Sequence, residues 1–171
     1  MKRTIWLAML LATAVTSAQA SDPRVERGRY LVQFGGCNDC HTPGYFEGKP
    51  DMTRYLSGSD IGFAIPGLGV FVPPNLTPSK TGLKDWTVDQ IVTAMTTGVR
   101  PDGRILAPIM PWRAFAHLTH QDAEDIALFL KTLPPVDHKV PGPFGPSQKP
   151  DVTVMTLVPA EVYAGLPKET K

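Results

Sequence analysis

The stretch Gly35-Gly36-Cys37-Asn38-Asp39-Cys40-His41 constrains this chain more than any other, because Cys37 and Cys40 are its only two cysteines. A Cys-x-x-Cys pair serves several chemistries, and each asks something further of the sequence. A zinc site needs two more ligands at short spacing, whereas the paired histidines, His117 and His120, lie far downstream with a gap narrower than zinc fingers use. A thioredoxin-like motif follows a buried strand in a βαβ pattern. Here the preceding segment, Pro23 to about Gly36, is charged and has helical periodicity. A structural disulfide closing so short a loop contributes little.

With His41 directly behind the second cysteine, the pattern is that of covalent c-type haem attachment. Residues three apart share one face of a helical turn, so Cys37 and Cys40 can both reach the vinyl groups along one haem edge. His41 then projects beneath the ring as the proximal iron ligand. One motif predicts one haem c. The group also answers a packing problem, since 18 prolines and 15 glycines leave room for only a few short helices around a poor core.

Three segments read as those helices. The first runs from Pro23 to about Gly36, with apolar Val25, Tyr30, Leu31 and Phe34 among charged neighbours. The second starts at Thr87, with Gln90 completing a capping box, and places Val88, Ile91, Val92 and Met95 on one stripe before Gly98. The third starts at Thr119 and carries Ala123, Ile126, Ala127, Leu130 and Leu133 on one face, ending at Pro134-Pro135. Thr42 to Trp86 forms a long Gly- and Pro-rich connection, in which the stretch around Pro66-Gly67 is a weak hairpin candidate. After Leu133 comes an extended Pro-rich segment and then a tail with scattered apolar residues.

A haem iron held by one histidine leaves its other face to methionine, histidine or an open site, and the choice separates electron transfer from catalysis. Met95 falls on a core stripe, Met52 follows His41 too closely, Met155 lies in the tail, and His117 and His120 flank a helix start. His138 is a weaker alternative. Met110 stands between Pro108 and Pro111, whose restricted backbone holds a thioether sulfur near one position. It is the favoured distal ligand. An open or displaceable distal position would instead suit a haem enzyme or a gas sensor.

Lys2 and Arg3, the apolar run from Ile5 to Val15 and the small-residue ending at Ala20 have the layout of a secretory signal peptide, too short to span a bilayer. The expected product is periplasmic, with no membrane span in the mature chain. Removing residues 1–20 leaves 15 basic against 16 acidic side chains, and with no basic run there is no electrostatic footprint for nucleic acid.

The runs Glu26 to Gly44, Asn75 to Trp112 and Leu118 to Val136 resemble class I cytochromes c, in particular the single-haem bacterial periplasmic type also found as haem domains in the cytochrome subunits of alcohol and gluconate dehydrogenases. The resemblance implies an all-α cytochrome c fold, three main helices around one covalently bound haem, with long Gly/Pro-rich loops and an extended tail. It divides the chain into a signal peptide (1–20), a cytochrome c domain (21–136) and a Pro-rich tail (137–171) that a minimal member lacks. It matches Cys37 and Cys40 to the thioether positions, His41 to the proximal ligand and Met110 to the distal ligand. Gly28 and Tyr30 match the crossing of the first helix with the last, opposite Phe129 or Leu130, and Asn75 to Pro78 with Trp86 match the segment near the haem propionates. The implied role is single-electron transfer without catalysis, between a periplasmic dehydrogenase and a terminal oxidase or another cytochrome.

Overall fold

The Asp22 side chain accepts a hydrogen bond from the Arg24 backbone N–H at 2.9 Å, and Pro23 occupies the first helical position, where its missing N–H costs nothing. These two residues start helix α1 (Pro23–Phe34). The computed structural model describes residues 22–167, so the signal peptide expected over 1–20 lies outside the described residues. At Gly36 the backbone turns left-handed (φ 63°), a conformation natural to glycine, and the chain enters the one-turn helix α2 (Cys37–His41).

Helix α3 (Val88–Thr97) forms as its capping box predicts. Thr87 Oγ1 accepts from Gln90 N at 3.1 Å and Gln90 Oε1 accepts from Thr87 N at 2.9 Å. Helix α4 (Trp112–Phe115) is a single turn behind Met110, and Thr119 caps helix α5 (His120–Thr132) through the Asp122 N–H. Ile91, Val92 and Met95 on α3 pack with Ala123, Ile126, Ala127 and Leu130 on α5, joined by Val32 of α1. Gly28 lies at the α1–α5 crossing, where an added Cβ would stand 2.9 Å from Phe129 Cβ. Tyr30 does not share that place: it is 55% exposed and stacks on Phe34 at the surface. Salt bridges from Arg24 to Asp125 (2.6 Å) and Glu124 (2.7 Å), and from Arg27 to Asp122 (2.9 Å), tie the same two helices together.

The expected all-α class is corrected by a three-stranded mixed sheet whose central strand is the first in the chain. Strands β1 (Ile61–Ile65) and β2 (Gly69–Phe71) form the hairpin, pairing Phe63 with Phe71 and Ile65 with Gly69. Its turn places Pro66 and Gly67 at the two central positions, with Leu68 N donating to Ile65 O at 3.0 Å and Gly67 at φ 77°. Strand β3 (Thr153–Met155) comes from the tail and runs parallel to β1, pairing Ile61 with Thr153. Pairing supplies backbone partners to a loop that would otherwise bury unsatisfied N–H and C=O groups. Helix α6 (Ala160–Ala164) follows on the surface. Among the described residues no helix is long and apolar enough to cross a membrane.

Candidate functional site

Helix α1 ends at Phe34 with Gly35 as its cap, so the two glycines deliver Cys37 directly into the wall of a cavity of about 450 Å³, a size usual for a cofactor site. Cys37, Cys40 and His41 on α2 line this cavity, and Met110 lines it from the loop before α4. The four residues singled out by sequence therefore meet in one place. Most of the remaining wall is apolar, including Phe63, Leu83, Ile91, Leu106 and Ile126. Cys37 and Cys40 are not joined in a disulfide, so both sulfurs are available to a cofactor. Burial pushes the Cys37 thiol up to about 11 and raises Cys40 as well, so both stay protonated at neutral pH.

His41 is 5% exposed, and its Nδ1 lies 2.7 Å from the Pro74 carbonyl. A carbonyl oxygen only accepts, so Nδ1 carries the proton and Nε2 keeps its lone pair. Burial lowers the His41 pKa to about 4, with the Pro74 bond acting in the opposite direction. The imidazole is thus neutral at physiological pH and offers one bare nitrogen, the form a metal binds. The Pro74 acceptor was not legible in the sequence, because it is set by a loop contact 33 residues away.

Met110 is held at its backbone: its N–H donates to Ala107 O at 3.0 Å, and its carbonyl accepts from Trp112 N at 2.8 Å. The competing residues are disposed of differently. Met52 and Met155 are 61% and 41% exposed, His120 pairs with Glu124 at 3.1 Å, and His138 Nδ1 is 2.9 Å from Ser57 O. Met95 also lines the cavity but belongs to the buried face of α3.

Two contributions were missed by reading the sequence. The tail returns across the site, so that Val140, Pro141, Gly142 and Pro143 form part of the cavity wall. Arg100 and Arg104 also line it, while among the described residues no aspartate or glutamate does. Arg100 lies over the Trp86 ring at 5.1 Å, and Arg104 has its pKa lowered by burial and then by Arg100. Two thiols, a bare imidazole nitrogen, a thioether, an apolar wall and two guanidiniums without a wall carboxylate fit a haem with its two propionates. A simple metal ion fits less well, since among the described residues no cluster of three or more His, Cys, Asp or Glu could hold one.

A family model described as cytochrome c matches residues 25–134. The fructose dehydrogenase cytochrome subunit of Gluconobacter japonicus is 36% identical over 132 residues, covering 75% of this chain and 25% of that protein. A diheme cytochrome c-type protein of Cereibacter sphaeroides is 34% identical over 112 residues, 65% of this chain and 36% of the relative. The gluconate 2-dehydrogenase cytochrome c subunit of Pantoea cypripedii is 32% identical over 148 residues, 80% of this chain and 32% of the relative. The chain spans about a quarter to a third of the length of these curated relatives. Because the family match begins in the first turn of α1 and ends just past α5, it takes in the attachment motif and the methionine loop together, and the chain belongs to the cytochrome c family as a haem c domain related to dehydrogenase cytochrome subunits.

Proposed function

We propose that the chain carries single electrons, with Cys37 and Cys40 holding the haem through thioethers, His41 as proximal iron ligand and Met110 as distal ligand. The observation that carries this reading is the meeting of all four side chains on one apolar cavity. When bound, the haem would supply one-electron redox chemistry, with His41 and Met110 the residues that would hold its iron. Pro74 orients His41 by accepting its Nδ1 proton. Apolar walls exclude water and favour the less charged reduced state. Arg100 and Arg104 would face the carboxylates of the bound group, as guanidinium forks suit carboxylate geometry. Ile109 lines the cavity and is 49% exposed, so the 105–109 loop is a route by which an electron reaches the surface.

In this reading residues 21–136 form the haem domain and 137–171 its extension, exported to the periplasm by a cleaved leader over 1–20. The relatives named for fructose and gluconate dehydrogenases suggest a periplasmic dehydrogenase as electron donor, with a terminal oxidase or another cytochrome as acceptor.

The test is the absorption spectrum of the ferric protein, which should show the weak far-red band of methionine sulfur on low-spin haem. In Met110→Ala the band should disappear and cyanide should bind the iron faster. A variant that keeps the parent spectrum and cyanide rate would remove Met110 from the iron. Cys37→Ala combined with Cys40→Ala should abolish the denaturation-resistant haem stain.

A further inference from the structure

The segment following α5 makes an unusual set of contacts for a tail. Val136 O accepts from Asn75 Nδ2 at 2.7 Å, and Val136 N donates to Thr77 Oγ1 at 3.1 Å. His138 N donates to Thr81 Oγ1 at 2.9 Å, while its ring Nδ1 lies 2.9 Å from Ser57 O. Val140 to Pro143 then enter the cavity wall, and Phe144 exchanges two 2.9 Å backbone bonds with Val70. The strap is thus bonded to segments around 57, 70 and 75–81.

Asn75 is the point where these bonds converge. It is 2% exposed, and its Oδ1 accepts from both Thr77 N and Thr77 Oγ1 at 2.8 Å. Its Nδ2 faces Ser79 Oγ and Thr81 Oγ1 at 3.1 and 3.2 Å besides two strap carbonyls, those of Val136 at 2.7 Å and His138 at 3.3 Å. The side-chain amide is therefore held on both its oxygen and its nitrogen. Its backbone nitrogen belongs to the same rigid peptide plane as the Pro74 carbonyl, the group that accepts the His41 Nδ1 proton. A rotation of that plane moves the acceptor.

We propose that Asn75 is a positioning residue through which the strap, Val136–Pro143, fixes the hydrogen bond on the axial histidine and thereby helps set the reduction potential. This rests on the haem reading above. An imidazole whose N–H is held by a firm acceptor is the more basic ligand and favours the ferric state. Loosening the acceptor should therefore raise the potential. The strap serves the site from outside the three-helix frame, and its Val136 and His138 carbonyls both meet the Asn75 amide.

The test uses the full-length haem protein and three variants: Asn75→Ala, Thr81→Val and His138→Ala. The second and third each remove one strap tie without touching the Asn75 bonds to Thr77, so they report even where Asn75→Ala does not fold. In the ferrous protein, exchange of the His41 Nδ1 proton with solvent should accelerate at least tenfold in Asn75→Ala, and by a smaller factor in the other two. The ratio of reduced to oxidised protein at fixed poise should rise by up to tenfold, equivalent to 59 mV for one electron. Gly28→Ala, matched for lost stability, is the control and should leave the potential in place. Unchanged potential and exchange in all folded variants, or a potential that moves downward as it would if water merely entered, overturns the proposal. A parent without covalent haem overturns the preceding reading and this one together, whereas a normal parent with unresponsive variants overturns this one alone.

Discussion

Replacing Gly28 by alanine should destabilise the protein, although alanine is the better helix former. A Cβ on residue 28 would stand 1.9 Å from Asp125 O, 2.5 Å from Asp125 C and 2.9 Å from Phe129 Cβ, where ordinary contact begins at 3.4 Å. The obstacle is the backbone of α5, which cannot swing away as a side chain can. Relief requires α1 and α5 to separate by roughly 1.5 Å, the shortfall of the closest contact from van der Waals distance. That separation would stretch the Arg24 and Arg27 bridges and loosen Val32, Ala127 and Phe129. Overpacking of this kind costs about 1–3 kcal/mol, and a clash against backbone belongs at the upper end. Helix propensity returns about 0.5–1 kcal/mol. The net loss is about 2 kcal/mol, or a fall in Tm of about 4–8 °C for a domain of this size. Thermal unfolding of the ferric protein followed by circular dichroism measures it. An unchanged or higher Tm would show that the crossing has slack, and the account of Gly28 would fail.

Stability should fall steadily on acidification. Hydrogen bonds from Arg27 to Asp122, from Arg24 to Glu124, from Lys80 to Asp137 and from Thr53 to Asp51 hold these carboxyls below their ordinary values, Asp51 at about 2. Every one of these groups binds protons more readily in the unfolded chain, so their contribution is complete above about pH 5 and is lost as the pH falls through 4 towards 2. Denaturant midpoints equal at pH 7 and pH 4 would contradict that sign. Arg100→Gln combined with Arg104→Gln should lower the reduction potential, since withdrawing positive charge from the haem edge favours the ferric state, and the ferric spectrum should keep its methionine band. A potential that does not move would mean the two guanidiniums do not face the bound group.

Local chemistry explains why so much could be read in advance. Thr87 with Gln90 and Thr119 with Asp122 cap their own helices, and the stripes on α3 and α5 follow from the helical period, so each element declared itself within a few residues. The two helical stripes are buried as expected, except that Val88 is only partly buried. Tyr30 and Phe34 misled for the same reason: aromatic residues look like core in a sequence, but α1 has only one buried face, and Val32 and Gly28 occupy it. The hairpin around Pro66-Gly67 was legible, but the third strand was not, because it is three residues long and pairs with a partner some ninety positions earlier in the chain, beyond the reach of any periodicity.

The sequence by itself determined the attachment chemistry, since the cysteine spacing and the following histidine are covalent neighbours whose relation survives any fold. It also determined where the main helices start and stop, and it singled out Met110 through the prolines on either side. Only the tertiary structure decided that Met110 and α2 share one cavity, that Pro74 accepts the His41 proton, that among the described residues two arginines and no carboxylate line the wall, and that the tail forms part of it. Each of these depends on distance between residues remote in the chain. Such distances are set by how α1, α3 and α5 pack and by the strap bonded to Asn75, which no local pattern encodes.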